Sequence, residues 1–483
     1  MVMRLLLVLG LMGALAGCAA VDPYASDPIA THLLRDDDVG YCARLFADLD
    51  QRVDRANARD AEAYRIDGFP YLRVDRFSAA LGTRAAVDPQ RRAWLKRLAE
   101  LDDAGRATEL ANAGLPDDDL ARCRVLLVTE DAASIAALRA RAQVADDYST
   151  PSRAAGLYPL TRLAFAAGVK RWQEETLVAF STPVSELPVR GKLVRFELAG
   201  AAPAVALPMP TDALGVPILS AFDRNALLQR HSPVLEIDVG GPFDRPGTVV
   251  LDAADQPVVD PAAPLAYARV AHSLIEGRPH LQLVYTFFFT ERPPRGAFDP
   301  LAGRLDGLVW RVTLGADGTP LVYDSIHPCG CYHLFFPTDR VTPRPAEDSL
   351  DEGMFAPQAL AVPTADQVVV LRIESGTHYV QRVSFGRRGS ADVRYWLDDD
   401  RHLTVLPRSN GGTRSAYGSD GLMAGSERGE RYFFWPMGIE SAGQLRQWGR
   451  HATAFVGRRH FDDPMLFDSY FVLRPAPSAG TTP

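Results

Sequence analysis

Along the first third of the chain, apolar residues recur at helical spacing. Leu45, Leu49 and Val53 fall four apart, with Cys42 and Phe46 on the same stripe, which predicts an amphipathic helix from about Val39. Asp88-Pro89 offers an N-cap and a proline for the first helical position, ahead of an apolar face made by Trp94, Leu95, Leu98 and Leu101. Segments 107–115, 131–144 and 157–175 repeat the style, so residues 39–175 are expected to be mainly α-helical. Beyond them, β-branched and aromatic runs alternate with Gly, Pro and Asp turns. Strands are predicted at 192–198, 233–239, 248–252, 265–270, 280–290, 307–314, 321–327, 367–374, 378–385, 393–397, 431–435 and 469–473. Gly315-Ala316-Asp317-Gly318 reads as a hairpin turn. The run from Leu281 to Phe289 is apolar on both faces and fits a central core strand. The expected fold class is therefore α+β: an α-rich N-terminal part followed, over 176–474, by a large antiparallel β body, sandwich or barrel-like. No internal repeat supports a propeller.

Charge narrows the partners. Lys plus Arg number 52 against 60 Asp plus Glu, a net charge of -8, and no basic stretch is dense enough to track a phosphate backbone. No nucleic-acid partner is expected. At the N-terminus, Arg4 precedes an apolar run over 5–15, too short to span a bilayer and of the length of a signal-peptide core. Leu15-Ala16-Gly17-Cys18 follows, and this segment resembles the lipobox of bacterial lipoproteins. The resemblance covers only the leader, 1–17. It implies cleavage before Cys18, diacylglycerol on the Cys18 sulfur and an acyl chain such as palmitate on the new amino group. Ala19 stands where an Asp would signal inner-membrane retention, so the resemblance implies an outer-membrane protein, lipid-anchored and facing the periplasm. Residues 18–38 read as a tether and 475–483 as a disordered tail.

Four cysteines remain once Cys18 carries lipid. Cys42 and Cys123 both fall in the α-rich part, and in an oxidising compartment they are expected to form a disulfide. Cys329 and Cys331 lie within His327-Pro328-Cys329-Gly330-Cys331-Tyr332-His333, where potential metal donors alternate with non-donors. On a strand all four donors would share one face. A fully extended segment would separate the two histidines by roughly 20 Å, too far for one ion, so either Pro328 and Gly330 bend the chain or remote residues complete the site. His272, His378, His451 and His460 are the candidates for completion, with His280 and His402 also in the β region. Thiolate with imidazole would suit zinc or copper. A local Cys329–Cys331 disulfide, buried thiols, and a catalytic cysteine served by a histidine are the other readings of the same residues.

The spacing is not that of covalent haem attachment, and neither a phosphate-cradling loop nor a dinucleotide fingerprint occurs, so neither haem nor nucleotide is expected. Residues 448–463 gather His451, His460, three arginines and two aspartates, which fits either a polar pocket or a solvated loop. Three functions stay open. One is a metal-binding envelope lipoprotein using His327, Cys329, Cys331 and His333; another is a non-catalytic envelope scaffold with structural disulfides; the last is a cysteine- or metal-dependent hydrolase of an envelope substrate.

Overall fold

The computed structural model describes residues 28–474 except 201, 202, 204, 206, 347 and 348. The expected leader, Cys18 and the tail 475–483 lie outside the described residues.

The β-branched and aromatic runs in the second part of the chain build a ten-stranded sheet. Its order is Leu334–Pro337, Pro320–Ile326, Gly303–Leu314, Arg278–Arg292, Leu265–Ile275, Val393–Asp399, Lys192–Leu198, Val234–Val239, Val368–Ile373 and Val380–Gly386. The sheet curls into a half-barrel. Its first five strands form an antiparallel meander, one turn of which is the expected hairpin: Gly315 N–H donates to Thr319 O and Gly318 N–H to Gly315 O. The central strand Arg278–Arg292 is buried on both faces. Phe287 and Phe289 join the core that holds Trp310, Tyr323 and Tyr395, whereas Phe288 joins a second cluster on the opposite face with Tyr267 and Met423.

The expectation of a purely antiparallel body is corrected: the sheet is mixed. Val393–Asp399 runs parallel to both of its neighbours, and Val368–Ile373 runs parallel to Val234–Val239. Hairpin spacing reports only on strands that are neighbours in sequence. Strands meeting after long crossovers can pair in either sense. Two further strand predictions are corrected. Residues 431–435 form a short helix, Arg431–Phe434, running into the turn Trp435–Met437, and the last strand shrinks to Phe471–Leu473 behind the helix Leu466–Tyr470. Helix Ala221–His231 also interrupts the β body, and a hairpin, Tyr64–Ile66 with Phe69–Val74, interrupts the α part.

In the N-terminal part, Asp37 caps helix Asp38–Arg55 by accepting from Gly40 N–H, and Val39, Cys42, Phe46, Leu49 and Val53 form its buried stripe as the spacing predicts. The segments read as two helices at 94–101 and 107–115 are one, Gln90–Ala113, and Pro89 occupies the cap rather than the first helical position. The periodicity breaks because the buried face of this helix carries Asp102, Arg106 and Glu109. These side chains meet Arg73 and Arg124 in a sealed ion network: Arg73 Nη2–Glu109 Oε2 is 2.6 Å and Arg124 Nη2–Asp102 Oδ2 is 2.8 Å.

Helix Leu120–Glu130 brings Cys123 to Cys42, and the two form the expected disulfide. With a sequence separation of 81 residues, the cross-link restricts the unfolded chain over a long loop. The Cys42→Ser, Cys123→Ser double variant is expected to lose about 2–4 kcal/mol of stability. Equal denaturant midpoints for variant and wild type under oxidising conditions would contradict this.

Helix Tyr158–Ser181 positions the site. Pro159 sits in its first turn; the Tyr158 hydroxyl accepts from Gly457 N–H at 2.7 Å, and Arg382 Nη2 donates to Thr182 O just past its end. Between these two anchors only Phe180 is buried. The helix is thus pinned at its ends and leaves space beneath its middle.

Candidate functional site

The residues 327–333 do not continue as a strand. They connect Pro320–Ile326 to Leu334–Pro337, and the chain turns back on itself: Gly330 N–H donates to His327 O at 2.8 Å and His327 N–H to Cys331 O at 3.0 Å. Pro328 and Gly330 therefore bend the segment. Gly330 has φ +92°, and a Cβ there would lie 2.3 Å from Ala452 O, so only glycine fits. Arg446 N–H donates to Pro328 O at 2.8 Å, which clamps the turn against the C-terminal segment.

The bend separates the four donors. His333 turns inward, where its Nε2–H donates to Asp324 Oδ2 at 2.8 Å and its ring stacks on Phe335 at 4.0 Å. Burial pushes its pKa down to about 3, so the ring is neutral. Asp324 is held from its other side by Arg311, whose Nε and Nη2 lie 2.9 and 2.6 Å away. His327 goes instead to Asp306, with Nδ1 at 3.4 Å from Oδ1. Cys329 and Cys331 are free thiols, each 8 % exposed, and Cys331 N–H points at Cys329 Sγ at 3.4 Å. The neighbouring Cys329 sulfur and burial together push the Cys331 thiol well up, so it keeps its proton.

The remote histidines have partners of their own. His272 stacks on Phe77 at 5.0 Å, and His280 pairs with Leu314 O at 2.9 Å. His451 is buried edge-on to Phe461, and His460 lies 3.2 Å from Asp146 Oδ1. His402 is exposed beside Asp398. Among the described residues no group of three or more His, Cys, Asp and Glu is arranged to hold a metal ion. The structure thus brings Cys329 and Cys331 together but sends His327 and His333 to separate carboxylates, and it places none of the remote imidazoles as a third donor.

His378 does come near the turn, through a carboxylate. Its Nδ1–H donates to Asp306 Oδ2 at 2.6 Å, its Nε2–H donates to Phe243 O at 3.1 Å, and Asp244 Oδ1 lies 3.3 Å away. Phe289 stacks on the ring at 3.9 Å. Burial alone would lower this histidine, but the hydrogen bonds to Asp244 and Asp306 outweigh it and leave the pKa raised. The imidazoles in turn hold Asp306 well below the carboxylate range despite burial. His327 goes the other way: burial, with the charges of Arg292 and His378, lowers it against the pull of Asp306, and its Nε2 has no partner. The chain Asp244–His378–Asp306–His327 therefore ends in a neutral, oriented imidazole.

This end lines the smaller of two chambers that share part of their walls. The larger, about 740 Å³, lies between helix Tyr158–Ser181, the Cys329–Tyr332 turn and the segments around Glu430 and Phe455. The smaller, about 220 Å³, is lined by His327 and Ser325. Trp172, Glu175, Arg295, Tyr332 and Tyr379 line both. The walls of the larger chamber are mainly apolar: Phe165 packs on Phe434 at 5.3 Å, and Phe434 on Phe455 at 5.1 Å. Its charged groups are Glu175, Arg292, Arg295, Asp299, Glu352 and Glu430. Arg292 is buried, donates from Nη2 to the Tyr379 hydroxyl at 3.1 Å and lies over the Tyr379 ring. Glu430 is pushed up to about 7 by burial. At the rim, Phe298 is 80 % exposed and meets the half-exposed Phe433, with Tyr432 and Trp435 close by in the chain.

Sequence reasoning found the turn and missed Asp306, Arg292, Tyr379, Glu430 and Trp172. The available signal was helix 158–181, whose apolar residues fall on every side and so cannot all face one core.

The His378 bridge carries a pH signature. A histidine raised above its unfolded value stabilises the fold fully below about pH 6.5 and loses that contribution as pH rises through the folded value. The melting temperature should therefore fall as the pH is raised from about 6.5 into the alkaline range. His378→Gln should flatten that limb while lowering stability throughout, because Asp244 and Asp306 lose their shared cation. Thermal unfolding across pH, with an unchanged alkaline limb in the variant, would refute the assignment.

Comparison with protein-family models, with curated proteins and with solved structures finds no match to this chain.

Proposed function

We propose that this protein is an outer-membrane lipoprotein, tethered through Cys18 and facing the periplasm, that binds a slender apolar molecule with an acidic or ester head, a fatty acyl compound, in the larger chamber. The observation that carries the reading is the chamber itself: about 740 Å³, lined mainly by aromatic and small apolar side chains, with arginines and carboxylates among them. The exposed aromatic rim of Phe298, Tyr432, Phe433 and Trp435 suits entry from a lipid surface. Arg292 and Arg295 offer positive charge to a carboxylate or an ester carbonyl. The leader resembling a lipobox supports the anchor, and the Cys42–Cys123 disulfide accords with an oxidising compartment. No helix among the described residues is long and apolar enough to cross a membrane.

Gly168 lines the chamber, and a Cβ there would meet nothing within 4 Å. Gly168→Phe should fill the space without disturbing the fold and weaken binding by ~10-fold or more. Palmitate titrated into the wild type should change Trp172 fluorescence saturably, and affinity should fall as pH rises through about 7, where Glu430 ionises beside the anionic head. Glu430→Gln should remove that dependence. The reading fails if the wild type gives no saturable response.

A second reading is favoured by one observation, the adjacency of two unpaired thiols on the chamber wall. Cys329 and Cys331 alone would suit a soft cation such as copper(I) better than four-coordinate zinc. Reduced, chelator-free protein loaded with copper(I) and desalted should then retain ~1 ion per chain. The Cys329→Ser, Cys331→Ser variant should retain none; no copper above background in the wild type removes the reading.

A further inference from the structure

We propose that His327 is the general base of an ester-hydrolysing site in the smaller chamber, acting on esters of medium- or long-chain acids whose chains occupy the larger one. The proposal rests on the acyl-binding reading and adds a reaction to it. Three observations converge. The first is orientation: Asp306 faces Nδ1 of His327, and Asp306 is itself fixed by His378, which leaves Nε2 as the lone-pair nitrogen. The 3.4 Å separation is of the length seen in unliganded sites that tighten with substrate. The second is an unmet need, since Nε2 is buried with no hydrogen-bond partner although the residue lines the smaller chamber. A buried ring nitrogen without a partner is destabilising unless something supplies one. The third is a compensating charge nearby. The Arg292 guanidinium is bonded to the Tyr379 hydroxyl and lies over the rings of Tyr379 and Tyr332, both of which pack edge-on against His327.

The step balances without a further reactant than water. Nε2 of His327 takes a proton from water as the water oxygen bonds to the ester carbonyl carbon, and the carbonyl electron pair moves onto its oxygen. The Tyr379 hydroxyl, which lines the smaller chamber and accepts from Arg292 Nη2, donates to that oxygen and stabilises its negative charge. When the carbon–oxygen double bond re-forms, the bond to the alcohol oxygen breaks and the proton on His327 passes to the leaving alkoxide. One water is consumed, and one carboxylic acid and one alcohol are released. Asp306 orients the ring and stabilises the imidazolium, and His378 is a positioning residue for Asp306. The charged and titratable groups facing His327 are Asp306, His378, Arg292, Tyr332 and Tyr379.

The test uses the full chain and p-nitrophenyl octanoate. Wild type should hydrolyse it well above the buffer rate. His327→Ala and His327→Gln should each lose ~100-fold or more. Added imidazole should restore part of the activity of His327→Ala, a response that a merely structural role would not give. Equal rates in wild type and His327→Ala, or a loss that imidazole leaves untouched, would overturn the proposal. If wild type shows the palmitate-induced Trp172 signal but no hydrolysis, this inference falls and the binding reading stands. If hydrolysis and imidazole rescue occur without that signal, the base is upheld and the acyl-binding reading is the one that fails.

Discussion

A buried charge must meet its opposite, and this constraint organises both halves of the molecule. Removing a carboxylate from water costs several kcal/mol unless cations and donors surround it. Asp102, Asp324 and Asp306 are each almost fully buried, and each is met differently. Asp102 faces Arg73, Arg106 and Arg124; Asp324 takes the fork of Arg311 and the ring of His333; Asp306 is shared by His378 and His327. In the first, three guanidiniums surround one carboxylate; in the second, one guanidinium and one neutral imidazole meet it. The third differs in its setting, because the unpartnered Nε2 belongs to a histidine that lines a chamber. Chemistry becomes available where an unpartnered nitrogen meets open space.

The same constraint explains why a sequence segment with alternating donors does not become a four-ligand site. His327 and His333 flank the turn, and each lies beside a strand carrying an aspartate: Asp306 on Gly303–Leu314 and Asp324 on Pro320–Ile326. Each carboxylate claims one imidazole, and the thiols between them are left facing the chamber. Alternation along the chain implied one shared face only if the backbone stayed extended. Once Gly330 took positive φ, the donors were distributed to the two sides of the turn.

Much of the fold was legible because most strands are runs of β-branched and aromatic residues that stay buried along most of their length. The Lys192–Leu198 strand matches its predicted bounds to the residue, and the aromatic core strand is buried as read. The reading failed where burial and polarity part company. Helix Gln90–Ala113 looked like two helices because its inner face is ionic. Residues 431–435 looked like a strand because they are aromatic, yet Tyr432, Phe433 and Trp435 are exposed, and the strand preference of aromatics reflects packing on a pleated surface that these residues do not have. The disulfide was legible from two cysteines in one helical layer. The chambers were not, since their walls come from segments more than a hundred residues apart and periodicity carries no information about such meetings.

The two readings of the larger chamber differ in the protonation of one pair of sulfurs. A thiol that keeps its proton behaves as a small polarizable hydrophobe, and Cys331, pushed upward by Cys329 and by burial, lines an apolar chamber in that form. The same sulfurs become soft ligands only when a cation displaces their protons, and the resulting thiolates would sit in a chamber wall that also carries Glu352 and Glu430. Acyl chain and cation thus compete for one surface. The neutral state needs no neighbour to compensate it, whereas a pair of buried thiolates does, and Arg446 is the cation whose charge the two sulfurs feel. The Cys329 sulfur and burial hold the Cys331 thiol in its uncharged form, which suits an apolar guest.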